Sequence, residues 1–459
     1  MASVVVVGGG VAGLTSALAL ARNGHTVTVL EQDPVRPAAT PDQAFEVLRR
    51  GTPQSHHSHA FLARLRKLLR DRWPDVLADL LAAGATEVGV ADLLPPGMDP
   101  TARPGDSDLT LLACRRTTFE WVLRRSALAE PRISFWDGVG GRGLATDQGR
   151  VTGVLLAGGR VVGSDIVVLA TGPRSDVVGW IRSAGLGPVD EEVEDTGIVY
   201  WSRFYRLRPG AVAPPSGGPI AADLGYLKYA VFAGDNHTFS VTLATGTGDA
   251  ALRALARPAA FDAAAAQLGP VAPWLDGGTA EPITPVHAMG RLVDRRRSFV
   301  ADGRPVAPAL HVVGDAAVCT NPLYGRGCTL AVAHAAILAD VVAEHPDDVV
   351  AQGVASDAGT RRTLYPWYEA SRAQDERARR PRAPGARPRG GLLWAIRRDP
   401  ELFRAFLRVF NLLDPPRALA ARPDFAARVQ AAWAEPGSEA PRPASGPERH
   451  ELLAAMEEA

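Results

Sequence analysis

The chain has 459 residues, 46% hydrophobic and 22% charged, the composition of a globular protein with room for two or three domains. Fifty acidic residues balance 50 basic ones, so no net field favours nucleic acid or an anionic membrane surface. The three cysteines (Cys114, Cys319 and Cys328) form no spaced framework, the N-terminus lacks the basic and apolar regions of a signal peptide, and no apolar run reaches the roughly 20 residues of a membrane span. A reducing, cytoplasmic setting without stable membrane insertion is the expectation.

Residues 3–7, "SVVVV", are β-branched without alternation, as in a strand buried on both faces. "GGGVAG" follows, then a helical run ending at Gly24 and a second strand, "TVTVL", ending at Glu31. In this order the glycines have separate tasks. Gly8 permits a tight turn, Gly10 lets a pyrophosphate approach the backbone, and Gly13 lets the helix pack on the strand. The helix N-terminus at Val11 and Ala12 offers free N–H groups to phosphate. Glu31 is placed to accept both hydroxyls of an adenosine ribose. A second match, "GVGGRG" at 138–143, leads into β-branched residues and turns rather than a helix, so it is rejected as a nucleotide site.

"PQSHHSHAFL", residues 53–62, holds His56, His57 and His59 before a helical run. Adjacent histidines diverge in most backbones and no fourth ligand lies nearby, so a metal site is not expected. "CRRTTFEWVLRRSAL" reads as a helix with Arg115 and Arg116 at its start and with Arg124 and Arg125 on a solvated face. "SDIVVLATGPRS" is an apolar strand ending at Ala170-Thr171-Gly172.

Residues 176–299 are aromatic-rich and strand-like. "GYLKYAVFAG" and "HTFSVTLATG" flank "GDN", a hairpin signal. Trp201, Arg203 and Tyr205 share one strand face, and Tyr226, Lys228, Ala230 and Phe232 share another; which faces meet a ligand is left open. In "LHVVGDAAVCTNPLYGRGCTL" a strand ends at Asp315, Pro322 opens a turn, Gly325 and Gly327 allow close backbone approach, and an apolar helix starts near Cys328. Beyond 376, an Arg/Pro/Gly-rich connector precedes the amphipathic "LLWAIRRDPELFRAFLRVFNLL". A charged, Pro-rich tail from about Glu435 ends in a short helical stretch.

Over about residues 1–375 these segments resemble the flavoprotein monooxygenases of the para-hydroxybenzoate hydroxylase type. The likeness is nearest to the actinobacterial branch with polyether polyene epoxidases; flavin-dependent halogenases are more distant kin. The resemblance implies an α/β fold: a Rossmann-type, glutathione reductase-like FAD domain (1–175 and 300–375), a mixed-sheet substrate domain (176–299) and a C-terminal helical segment and tail (376–459). It implies that Asp315 meets the ribityl chain, that Thr171, Gly172, Pro322, Gly325, Gly327 and Cys328 line the cofactor, and that Arg116, better aligned than Arg115, reaches it. His57 or His59 would contact the flavin or wall the chamber, unless His59 merely caps the next helix. His287 and Lys228 are further catalytic candidates, Lys228 for a halogenase. The family pattern has an arginine where this chain has His56.

The implied reaction is hydroxylation or epoxidation, through a flavin C4a-hydroperoxide, of a largely apolar substrate from secondary metabolism. Electrons would come from NAD(P)H or a separate flavin reductase, with dioxygen as co-substrate. The alternatives are a flavin-dependent dehydrogenase or ene-reductase, and a halogenase, although the halogenase Gly-Trp-x-Trp-x-Ile-Pro signature is absent.

Overall fold

The computed structural model describes residues 1–34, 37–214, 220–379, 391–434 and 446–459. Five parallel strands form the central sheet, in the order Leu310–Val312, Ile166–Leu169, Ser3–Val7, Thr26–Glu31, Ile133–Asp137. Val4 to Val7 are all buried because both faces are covered. Val4 and Val6 pack with Ala17, Leu20, Leu338 and Val342 of the helices Val11–Arg22 and Gly327–Glu344. Val5 and Val7 pack with Leu144, Val151 and Val154 of a three-stranded antiparallel sheet. The unbroken apolar run at the N-terminus is the signature of this sandwiching.

Gly138–Gly143, the rejected glycine motif, is the bend from the fifth parallel strand into Gly141–Asp147. Gly327–Glu344 is the one helix among the described residues long and apolar enough to cross a bilayer, and 72% of it is buried inside the protein. Its apolarity on all sides suits a helix enclosed by its neighbours.

The second large sheet is antiparallel, ordered Ala221–Asp223, Lys228–Ala233, Thr238–Gly246, Ile198–Leu207, Ala280–Pro282, with His287–Met289 also paired to Ile198–Leu207. Its outer face carries Trp201, Tyr205, Tyr229, Phe239 and Leu243. These pack on the helix Pro258–Ala266 and on Leu452 and Met456 of Arg449–Glu457. Trp201, Arg203 and Tyr205 therefore face away from the side that meets His57 and Ser58, and their aromatics are core. The inner face carries Tyr200, Ser202 and Phe204, in register with Ala244, Thr242 and Ser240, and then with Lys228, Ala230 and Phe232.

Val177–Ser183 buries Val177 and Ile181 against the parallel sheet's core, so the antiparallel sheet starts only at Ile198. Tyr365–Arg379 runs through 375/376 without a break. Most of the Arg/Pro/Gly connector and the start of the tail, residues 380–390 and 435–445, lie outside the described residues. The amphipathic segment forms Gly391–Ile396 and Pro400–Phe410, which pack through Ile396, Phe403 and Leu407 on Val90, Leu93 and Leu109.

The 235–238 turn of the antiparallel sheet docks on the start of Arg116–Ala129, a helix packed beside Ile133 and Phe135 of the parallel sheet. Asn236 and His237 take φ of 51° and 60°, as a two-residue hairpin of this twist requires. The Asp235 carboxylate accepts from Arg115 N at 2.7 Å, Arg115 Nη2 at 2.6 Å and Thr118 Oγ1 at 2.9 Å. Both side chains of the Arg115–Asp235 pair are 0% exposed. Replacing Asp235 with Ala leaves that guanidinium buried with only Asp42 beside it; the expected loss is about 3–5 kcal/mol of unfolding free energy, read by urea denaturation.

Candidate functional site

The first crossover is built for close approach. A Cβ at Gly13 would lie 1.8 Å from Gly8 O, and one at Gly8, where φ is +109°, would lie 2.4 Å from Ala170 O. Thr171 and Gly172 follow directly, so all these positions share one end of the sheet. Above Gly10 there is space: the nearest atom to a Cβ there is a Thr52 methyl at 3.9 Å. Gly10 caps Val11–Arg22 with no side-chain hydrogen bond, leaving Val11, Ala12 and Gly13 at an uncapped, positively polarised helix end.

Glu31 is buried, and its carboxylate is already well supplied with donors. Oε2 accepts from Gly9 N at 2.8 Å and from Arg49 Nη2 at 2.6 Å, and Oε1 accepts from Asp33 N at 2.9 Å. A carboxylate has roughly four acceptor positions, so Glu31 has room for one ribose hydroxyl rather than the expected two unless Arg49 moves. Beyond it runs a ladder of alternating charge. Arg49 Nη1 donates to Glu120 Oε2 at 2.8 Å, Arg116 Nε donates to Glu120 Oε1 at 2.8 Å, and Arg116 Nη1 donates to His59 Nε2 at 3.1 Å. Burial works against the Arg116 charge, but Glu120 outweighs it and holds the guanidinium firmly protonated.

Arg124 is not on a solvated face. It donates to Gly9 O at 3.0 Å, its guanidinium lies 4.9 Å from the Phe135 ring centroid, and burial together with Arg49 lowers its pKa to about 10. Arg49, Thr117, Glu120, Trp121, Arg124 and Phe135 line a cavity of about 300 Å³. Four buried polar atoms in this region have no partner: Arg49 Nε, Thr52 Oγ1, Thr117 Oγ1 and Arg124 Nη1. Unpaired buried donors of this kind are expensive, and the phosphates and ribose of a dinucleotide would satisfy them. The residues present fit such a group.

At the other end, the strand stops at Val312 and Asp315 sits in the following 3₁₀ turn. Burial raises the Asp315 pKa, while Arg116 opposes the shift. The Pro322–Tyr324 turn is capped by Asn321, whose Oδ1 accepts from Leu323 N at 3.0 Å. Gly325 takes φ +66° against the histidine loop, where a Cβ would lie 3.0 Å from Ala60 Cβ. Gly327–Glu344 starts without a side-chain cap. Cys328, in its first turn, has its thiol pushed up to about 11 by burial, so it is no thiolate near neutral pH.

The three loop histidines turn three ways. His56 Nε2 bonds Phe45 O at 2.7 Å and packs on the Phe45 ring, a structural role. His59 does not cap the next helix, because Ala63 N is capped by Asn411 Oδ1 at 3.1 Å. Arg116 donates to His59 Nε2, so the His59 proton is on Nδ1 and donates to His57 O at 2.9 Å. Burial and Arg116 lower its pKa to about 3.

His57 Nδ1 meets Ser202 Oγ at 3.1 Å, and its ring lies edge-on to Tyr200. Ser202, Thr242, Ser58 and Ser240 continue as a hydroxyl row. His287 sits opposite Ser202 with its Nε2 buried and unpartnered. Tyr200, Ala244 and Leu292 form a small apolar cluster with Met289 and with Leu323 of the turn. Lys228 shares the inner face, but its ammonium is paired with Asp223 at 2.9 Å.

A family model described as FAD dependent oxidoreductase matches residues 3–103. No curated protein sequence matches the chain. Among solved structures, PqsL of Pseudomonas aeruginosa, described as a probable FAD-dependent monooxygenase, is 17% identical with a TM-score of 0.59; the match covers 82% of this chain and 94% of that one. The fold is that of an FAD-dependent oxidoreductase. The anhydrotetracycline hydroxylase OxyS of Streptomyces rimosus is 20% identical with a TM-score of 0.60, covering 90% of this chain and 76% of its own. A triple mutant of the flavin-dependent brominase Bmp2 is 17% identical with a TM-score of 0.59, covering 94% and 98%.

One feature of the site had no sequence signal: a buried carboxyl pair behind the Pro322–Tyr324 turn. Asn321 N donates to Asp294 Oδ1 at 2.8 Å, while Asn321 Nδ2 and Tyr324 OH donate to Asp375 Oδ1 at 2.8 and 2.6 Å. Burial and the neighbouring Asp375 push Asp294 up to about 7, against about 4 for an ordinary carboxyl. Between those values the folded chain holds a proton that the unfolded chain has released, so this group's contribution to stability falls as pH rises. Asp294→Asn is expected to flatten the decline in thermal midpoint between about pH 5 and 7, measured by scanning calorimetry.

Proposed function

We propose that the chain is an FAD-dependent monooxygenase that hydroxylates or epoxidises a largely apolar small molecule. The observation that carries this reading is the meeting of three elements. Leu323 of the Pro322–Tyr324 turn packs against the cluster that Tyr200 and Ala244 form on the inner sheet face with Leu292, and the histidine loop lies on the same face through His57 and Ser58. The 8–13 glycines, Glu31, Arg49, Arg124 and Arg116 would hold the two ends of FAD, with Asp315 at the ribityl chain. Bound and reduced, FAD supplies activation of dioxygen and transfer of one oxygen atom to an electron-rich carbon.

The protein's share is binding, orientation and exclusion of water. Tyr200, Ala244, Leu292 and Met289 offer an apolar wall. His57 and His59 stay neutral, each lowered to about 3, His57 chiefly by burial and His59 by burial and Arg116. An apolar substrate therefore meets no unpaired charge on this wall. Electrons would come from NAD(P)H or a separate flavin reductase.

Purified protein is expected to be yellow, or to become so with added FAD, and to show flavin absorption bands. With a reductant and a panel of polyene and aromatic candidates it should give a product heavier by about 16 Da only in oxygen. A colourless protein that ignores excess FAD refutes the proposal, and the same turnover without oxygen favours a reductase. Because Asp223 neutralises Lys228, Lys228→Met is expected to leave product formation within about twofold. Loss of a bromide-dependent product in that variant, with flavin still bound, would point to a halogenase.

A further inference from the structure

Gly314, which precedes Asp315, takes φ +62°, a conformation open mainly to glycine. A Cβ there would lie 2.7 Å from Ala12 Cβ, so the turn is pressed against the phosphate-end helix. Its amide does not point to another backbone group. Gly314 N donates to His334 Nδ1 at 3.2 Å, and His334 is buried in the middle of Gly327–Glu344.

The far side of the same ring determines which nitrogen carries the proton. His334 Nε2 lies 3.0 Å from Thr360 Oγ1, and the hydroxyl of Thr360 donates to Ser356 O at 2.8 Å. Thr360 has one hydrogen and has spent it on that carbonyl, so Nε2 must donate to Thr360 and Nδ1 must be bare. Only this tautomer can accept the Gly314 amide. An imidazolium could not, and burial, followed by nearby His311, lowers the His334 pKa to about 3. The helix Val349–Thr363 thereby sets the proton on His334, and His334 sets the turn.

We infer that His334 is a positioning residue for the ribityl end of the cofactor site, its Nδ1 holding the Gly314 amide so that Asp315 is presented in one orientation, with Thr360 enforcing the tautomer. His334 is not among the residues lining the phosphate-end cavity, so its effect should fall more heavily on the ribityl half of the ligand. The inference rests on the reading of the chain as an FAD protein.

The test uses full-length protein stripped of flavin and titrated separately with FAD and with ADP, which carries only the adenosine and phosphates, by calorimetry. His334→Leu removes the acceptor. His334→Asn places an amide oxygen close to the position of Nδ1. Thr360→Val keeps the imidazole but removes the group that directs its proton.

The expected result is an FAD dissociation constant raised about tenfold in His334→Leu, roughly the effect of one unsatisfied buried amide. ADP should bind within about twofold of wild type, Thr360→Val should show a smaller loss for FAD alone, and His334→Asn should recover most of the affinity. Equal weakening of FAD and ADP, or no change in either, overturns the inference. Should His334→Leu fail to fold, unchanged FAD binding by Thr360→Val overturns it alone. Wild-type protein that binds ADP but not FAD overturns the functional reading itself, a result visible before any variant is made.

Discussion

One dehydrated ion pair fixes how the 235–238 turn of the antiparallel sheet meets the helix Arg116–Ala129. Arg115 and Asp235 are both fully enclosed, and four donor groups converge on that carboxylate: the Arg115 amide, the Arg115 guanidinium, Thr118 and Asn236. A pair taken this far out of water gains little net energy over an apolar contact of the same shape. What it gains is direction, because a carboxylate ringed by donors tolerates one docking of the 235–238 turn. With the turn seated, the inner face of the antiparallel sheet is brought onto the histidine loop. The next residue, Arg116, points the other way into the charge ladder. Two adjacent arginines at one helix start thus serve the sheet and the charge ladder separately.

The ladder from Glu31 through Arg49, Glu120 and Arg116 to His59 shows how a buried region can be lined with charge and remain balanced. Each member lies between partners of opposite sign or, at the end, against a neutral ring. None is left as an isolated buried ion, which would be costly. Among the groups left unpaired, Arg49 Nε, Arg124 Nη1 and the Thr117 hydroxyl belong to residues lining one cavity. The frame is self-sufficient and its open valences face the ligand space.

Much of this was legible in the sequence where local chemistry decides. The Gly8–Gly13 crossover, the Glu31 strand end and the helix starting near Cys328 each follow from spacing and glycine geometry, whereas the strand read as ending at Asp315 stops at Val312 and gives way to a turn. The parallel sheet follows from β-branched runs. The rest depends on contacts distant in the chain. Alternation placed Trp201 and Tyr205 on one face, but the docking of Pro258–Ala266 and Arg449–Glu457 is what makes this face core. Arg124 looked like a surface residue because nothing in its own helix reveals Gly9 and Phe135 nearby. Glu120 could have been found, since it stands four residues after Arg116, a spacing that pairs side chains on a helix. Asp294 and Asp375 lie on a strand and a helix far apart in sequence, and no pattern pairs them.

The order of strands in the parallel sheet bears on how the chain reaches its native state. Leu310–Val312 completes that sheet beside Ile166–Leu169, and the whole antiparallel sheet is made on the ribosome between the two. Until Leu310 emerges, Ile166–Leu169 presents an unpaired apolar edge, and the core beneath Leu338 and Val342 stands open. Closure of so distant a contact is slow, and an edge of that kind invites pairing with other chains. Both surfaces can be covered from within the chain only once its last third has been made.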